Sequence, residues 1–206
     1  MFHVGNAVEG EDRLARDVAK VKESLGPLPE PVVRPVLVML AGLPGVGKTY
    51  FARRLVQRIP LAIVESDAVR ALLFARPTYT FTESNWVFRV CHRVIEELLA
   101  RGVPVLFDAT NLAERHRELV YRIADRMGAK LIIVQLVAPP EVVRQRLEER
   151  ATRREPGVFS EATWEVYERM RTQWEPIRRP HFVFDTSQDI GPAVARIARE
   201  ILKKNS

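Results

Sequence analysis

Eight consecutive residues, Gly42-Leu43-Pro44-Gly45-Val46-Gly47-Lys48-Thr49, follow the pattern G-x-x-x-x-G-K-[ST]. Glycines permit a tight turn whose successive backbone N–H groups converge on phosphate oxygens, and a helix opening just after it points the positive end of its dipole at the same place. In such a turn Lys48 reaches the β- and γ-phosphates and the Thr49 hydroxyl binds Mg²⁺, with Tyr50 beside them among the nucleotide-contacting residues. ATP or GTP binding is therefore the strongest signal in the chain.

Two acidic positions downstream turn nucleotide binding towards phosphoryl transfer. Glu65-Ser66-Asp67 closes a short apolar run and Arg70 follows three residues later. With Asp67 as the N-cap of a helix from Ala68, both side chains leave its first turn at the carboxyl edge of a sheet, where open parallel sheets bind ligands. The carboxylate can accept the proton of an attacking hydroxyl, and the guanidinium can hold an anionic or polar part of the acceptor. A plain cap with an exposed arginine is the competing reading. Asp108 ends another apolar run and is placed to bind Mg²⁺ directly or through water. Asn111, followed by Glu114, is either part of this site or a helix cap. Arg144, Arg146, Arg150, Arg153 and Arg154 lead into Glu155-Pro156-Gly157. They read either as a mobile lid whose arginines stabilise the transferred phosphoryl group or as a salt-bridged surface helix with Glu148, Glu149 and Glu155.

The series GLPGVGKT, SDAVR, FDATN, APPEVVRQRLEER and SEATWEVYERM resembles P-loop kinases of the branch that holds polynucleotide 5′-hydroxyl kinases, chloramphenicol phosphotransferase and zeta-toxin-like sugar-nucleotide kinases. The likeness runs roughly from Pro35 to Ser187. It implies a sheet of order 2-3-1-4-5, Asp67 as general base, Arg70 as an acceptor contact and Asp108 as the Walker B-like residue. It also implies Arg146 and Arg150 in the lid, Arg150 and Thr186 near the nucleotide, with Asp185-Thr186-Ser187 by the adenine, and ATP rather than GTP. Val46 stands where this family commonly has a small polar residue.

These side chains need a scaffold, and the rest of the chain supplies one. Apolar, β-branched runs at Val36–Ala41, Leu61–Val64, Val103–Phe107, Leu131–Val137 and Phe182–Phe184 alternate with helical patterns at Lys48–Arg58, Ala68–Phe74, Glu83–Ala100, Leu112–Met127, Glu141–Arg150, Glu161–Trp174 and Ile190–Leu202. Runs that are apolar throughout are covered on both faces, so the expected fold is α/β: a doubly wound, mainly parallel five-stranded sheet with helices on both sides. Pro104 cannot donate in a ladder, which starts the third strand at Pro104 or Val105. Ahead of this domain, Leu14, Val18, Val21 and Leu25 form a helical stripe within Glu9–Leu25, and Pro27, Pro29, Pro31 and Pro35 end it. Residues 1–34 thus read as a helical appendage with a stiff linker, docked on the domain or on a second subunit, and residues 35–206 as the kinase domain with its lid around 144–163.

Composition narrows the setting. The 206 residues carry a net charge of +6 and are 47% hydrophobic and 28% charged, which fits a globular protein and excludes a disordered one. No apolar run approaches the roughly 18 residues of a membrane span, and Glu9, Glu11, Asp12 and Asp17 argue against a mitochondrial presequence. A single cysteine, Cys91, leaves no disulfide framework and suggests a reducing, cytoplasmic setting. Cys91, His92, His116 and the stripe Trp164, Tyr167, Met170 and Trp174 read as packing. The expected activity is Mg·ATP-dependent phosphorylation of a small-molecule hydroxyl. The alternatives are a nucleic-acid 5′ hydroxyl as acceptor, or an ATP-binding regulator that transfers nothing.

Overall fold

The computed structural model describes residues 4–152 and 162–203. Its centre is one parallel sheet of β1 (Val36–Ala41), β2 (Ala62–Glu65), β3 (Val105–Asp108), β4 (Lys130–Val137) and β5 (Phe182–Asp185) in the order β2-β3-β1-β4-β5. Every pairing is parallel, with Leu37 opposite Val105 and Leu131, and Glu65 opposite Asp108. All five strands therefore end at one edge. This is the P-loop NTPase order expected above, and β3 begins just after Pro104.

Two apolar layers explain why the strands are hydrophobic throughout. On β1, Leu37, Met39 and Ala41 point into one cluster, with Val105, Phe107 and Ile133. Val36, Val38 and Leu40 point into the other, with Leu106, Val134 and Leu136. The first layer is covered by α3 (Ser66–Leu73), α4 (Phe81–Ala100) and α5 (Glu114–Arg126), the second by α2 (Lys48–Val56), α6 (Pro140–Thr152), α7 (Trp164–Thr172) and α8 (Gly191–Leu202). Buried Tyr167 stacks on Trp164 at 4.9 Å, so this part of the aromatic stripe does pack.

The N-terminal helix α1 (Val4–Ser24) starts earlier than its apolar stripe suggests, because amphipathic spacing marks only the turns that touch something. It lies on the domain itself. Leu14, Val18 and Val21 are buried in the first layer, the Trp86 indole donates to Asp17 at 2.8 Å, and Lys20 Nζ donates to the Leu72 carbonyl at the end of α3, also at 2.8 Å. Among the described residues no helix is long and apolar enough to cross a membrane.

Candidate functional site

The turn between β1 and α2 is shaped by what its glycines exclude. A Cβ on Gly42 would lie 2.5 Å from the Leu136 carbonyl oxygen of β4, and one on Gly45, where φ is +79°, would lie 2.8 Å from Val143 Cγ1. Gly47 is the N-cap of α2, so the helix amides begin where the turn closes. Lys48 folds back over the turn, its Nζ donating to the Leu43 carbonyl at 3.1 Å. Burial pushes the Lys48 ammonium below its ordinary range and Arg150 adds to this, while Asp108, Asp67 and Glu65 pull it back up. A half-buried cation ringed by acids at the mouth of an amide-lined turn fits a polyphosphate.

The next strand tip meets this turn directly. Thr49 Oγ1 donates to Asp108 Oδ2 at 2.7 Å, and burial raises Asp108 against the pull of Lys48. Gly42 N donates to the Thr110 carbonyl at 3.1 Å, and Asn111 Nδ2 to the Leu40 carbonyl at 2.6 Å. Asn111 is buried with φ +47°, and the N-cap of α5 is Ala113, so Asn111 is no helix cap but a staple between the tips of β3 and β1. Behind it Arg117 is wholly buried. It donates to Glu114 and to the carbonyls of Asn111, Leu112, Glu175 and Pro176, all within 3.0 Å.

On the other flank Arg146 donates to both the hydroxyl and the carbonyl of Thr186, at 3.0 and 2.7 Å, and the Thr186 hydroxyl donates to the Val46 carbonyl at 2.7 Å. Arg146 and Thr186 thus buttress the glycine turn from the β5 side. Tyr50 is 58% exposed on the first turn of α2. Arg153, Arg154 and the Glu155-Pro156-Gly157 connection lie outside the described residues.

Asp67 sits differently from its expected capping position. β2 runs into α3 without a loop, and extended Glu65 is both the last strand residue and the N-cap, with no side-chain capping bond. Asp67 therefore falls inside the first turn, where the helix dipole favours a carboxylate. It opens onto a hollow of about 190 Å³ lined by Asp67, Arg70, Ala71, Phe74, Ala75, Pro77 and Tyr79. Glu65, Asp67 and Asp108 crowd one another. Burial, then the charges of Asp108 and Asp67, push the Glu65 carboxyl up to about 7. Among the described residues no three His, Cys, Asp or Glu side chains are arranged to hold a metal ion. The neighbouring oxygens of Thr49 and Asp108 suit Mg²⁺, which is commonly held by one or two protein oxygens with phosphates and water.

Arg70 is buried and ion-paired to Glu83, with Nη2 3.3 Å from the Ser84 hydroxyl and its Cζ 4.6 Å from the centre of the Tyr79 ring. Glu83 also accepts from the Thr78 amide at 2.8 Å, the Thr78 hydroxyl at 2.7 Å and the Tyr79 amide at 3.2 Å. Burial alone would raise this carboxyl, but the bonds from Thr78, Arg70 and Tyr79 outweigh it and hold it at about 2. Glu65, Glu83 and Arg117 were absent from the sequence-based site. For Glu83 a signal existed: Thr80-Phe81-Thr82-Glu83 is a T-x-x-E capping box, and Thr80 does cap α4 by accepting from Glu83 N.

A larger hollow of about 440 Å³ between α1, α4 and α5, lined among others by Phe88, His92 and His116, shares no residue with the glycine turn or Asp67. Burial, then His116, lowers His92 to about 4. Buried Cys91, whose thiol burial pushes up, belongs to the packed face of α4.

The site can be set beside known proteins. The chain is 24% identical over 139 residues to rat (Rattus norvegicus) 6-phosphofructo-2-kinase/fructose-2,6-bisphosphatase 1, a match spanning 59% of this chain and 30% of that much longer protein. It superposes on the Mycobacterium tuberculosis APS kinase CysC in complex with AMPPNP and APS, with a TM-score of 0.63 at 18% identity, over 85% of this chain and 100% of the other. A gluconokinase from Sinorhizobium meliloti superposes with a TM-score of 0.54 at 21% identity, over 82% and 90% of the two chains. These likenesses establish a kinase-like P-loop fold. Residues 37–177 match the family described as AAA domain, and the chain belongs to that family.

Proposed function

We propose that this protein transfers the γ-phosphate of Mg·ATP to a hydroxyl group of a small molecule. One observation carries the reading: a phosphate turn on β1 and a carboxylate-bearing hollow after β2 open on the same edge of the sheet, with Asp108 on β3 between them. Asp67 is close enough to Lys48 for its charge to be felt there. A structural neighbour that holds AMPPNP supports ATP as the nucleotide.

In the proposed reaction the turn amides and Lys48 hold the β- and γ-phosphates in line with the hollow. Mg²⁺, held by Thr49 and Asp108 together with phosphate oxygens and water, would supply neutralising charge. The acceptor oxygen attacks the γ-phosphorus, the bond from that phosphorus to the bridging oxygen breaks, and ADP leaves. Asp67 orients the acceptor O–H and takes its proton. Arg150, whose charge reaches Lys48, offsets negative charge on the transferred oxygens, and Arg146 keeps the turn in shape through Thr186.

The test is transfer of radiolabelled phosphate from ATP to a panel of nucleosides, sugars, aminoglycosides and a 5′-hydroxyl oligonucleotide. Labelled product from a small-molecule hydroxyl is expected. Tight Mg·ATP binding with no labelled product would leave a nucleotide-binding regulator.

A further inference from the structure

We infer that the acceptor this site takes is a small hydroxyl compound that is uncharged or cationic next to its reacting group, because Glu83 cancels Arg70 and leaves Asp67 as the charge that faces the hollow. The inference rests on the transfer reading above and narrows it.

Of the seven lining residues among those described, only Asp67 and Arg70 carry charge. An arginine three residues after the catalytic carboxylate looks, on paper, like an anchor for a phosphate or carboxylate on the acceptor. In the fold its charge is already paired, and the one guanidinium donor left without a partner, Nε, is buried away from the surface. Its side chain is 7% exposed, Glu83 pairs with Nη1, Ser84 lies against Nη2, and the Tyr79 ring covers the guanidinium face. Glu83 is equally committed, since its carboxylate accepts from two amides and a hydroxyl in the Thr78-Tyr79 turn as well as from Arg70. An acceptor anion would have to displace a buried carboxylate that holds four donors. It would also meet Asp67, half-buried and repulsive to it.

The other walls agree. Ala71, Phe74, Ala75, Pro77 and Tyr79 offer apolar and aromatic surface. The backbone of Tyr79 is held at φ +53°, uncommon for a bulky side chain, by the Glu83 bond to its amide, which keeps the ring over Arg70. At about 190 Å³ the hollow is smaller than the roughly 300–1,000 Å³ of pockets that enclose a whole drug-sized ligand. It receives one ring or one short polar arm. A ring carrying hydroxyls, with or without an ammonium group, matches a carboxylate facing an aromatic wall.

Acceptors that differ in charge but keep every hydroxyl test the inference: uridine against orotidine, N-acetylglucosamine against N-sulfoglucosamine, an aminoglycoside, and a 5′-hydroxyl oligonucleotide, with Mg·AMPPNP binding measured by calorimetry in parallel. The wild-type protein is expected to favour the uncharged or cationic member of each comparison by at least about tenfold in kcat/KM. Glu83→Gln, which frees the guanidinium charge, is expected to shrink that ratio or reverse it. Preference of the wild type for the anionic members or the oligonucleotide overturns the inference and leaves the kinase reading standing. Bound AMPPNP with no transfer to any acceptor removes the kinase reading, and this inference with it. An unchanged ratio in folded Glu83→Gln overturns the role of the latch. Should that variant not fold, the wild-type series alone decides.

Discussion

The two halves of the sheet edge are built from different materials. Around the phosphate turn the groups that would meet a ligand are mostly main-chain amides, shaped by Gly42 and Gly45, whose neighbours leave no room for a side chain. Around Asp67 the shape comes from side chains drawn from α3, the following turn and α4, held together by one carboxylate. A backbone cradle tolerates little change in its own residues. A side-chain latch can be retuned by one substitution without disturbing its neighbour, so acceptor choice can drift within a fold while nucleotide handling stays fixed.

Substitutions that hit one half and spare the other probe this division. Lys48→Ala should lower transfer by about a thousandfold or more while the thermal unfolding temperature barely moves, and transfer at the wild-type rate would show that the turn is not the phosphate site. Asp67→Asn should cost roughly 10²–10⁴ in transfer with a far smaller change in Mg·ATP affinity. A parallel loss of nucleotide affinity, measured by calorimetry, would mean the halves are not separable.

Effects on stability are smaller and belong to both halves. In acid, the Glu83 carboxyl lies at about 2 when folded against an ordinary 4.5, so the unfolded chain binds more protons between those values, and stability falls as pH drops through that window. At about 1.4 kcal/mol per pH unit the loss approaches about 3 kcal/mol, and Glu83→Gln should flatten the curve. His92, at about 4 against 6.5, loses stability in the same direction between pH 6.5 and 4, where His92→Phe should remove the slope in urea titrations. Gly42→Ala should cost about 1–3 kcal/mol, because its Cβ meets a β4 carbonyl rather than a flexible side chain. Asp17→Asn, which weakens the acceptor for the Trp86 indole, should cost about 1 kcal/mol or less.

What could be read in advance follows the same division. The phosphate turn, the strand carrying Asp108 and the alternation of strands and helices depend on local spacing, and spacing is what a sequence displays. The fate of Arg70 does not: it depends on Glu83, thirteen residues on, folding back over a turn whose geometry no periodicity announces. Arg117 is harder still. Its carbonyl partners at Glu175 and Pro176 are nearly sixty residues away, and a carbonyl carries no mark of its residue type. Asp67 stands two positions further into its helix than the cap expected for it, because two residues that both favour helix starts, Ser66 and Asp67, adjoin a strand that ends without a loop.

The docking of α1 bears on how this protein can be handled in the laboratory. A fragment trimmed to residues 37–177 would discard the edge strand β5 and helices α1 and α8 together. It would strip Leu14, Val18 and Val21 from one apolar layer and open the hydrogen-bonding rim of β4 to other molecules. Such a truncated chain should clump on expression, whereas one that keeps α1, β5 and α8 should stay dispersed.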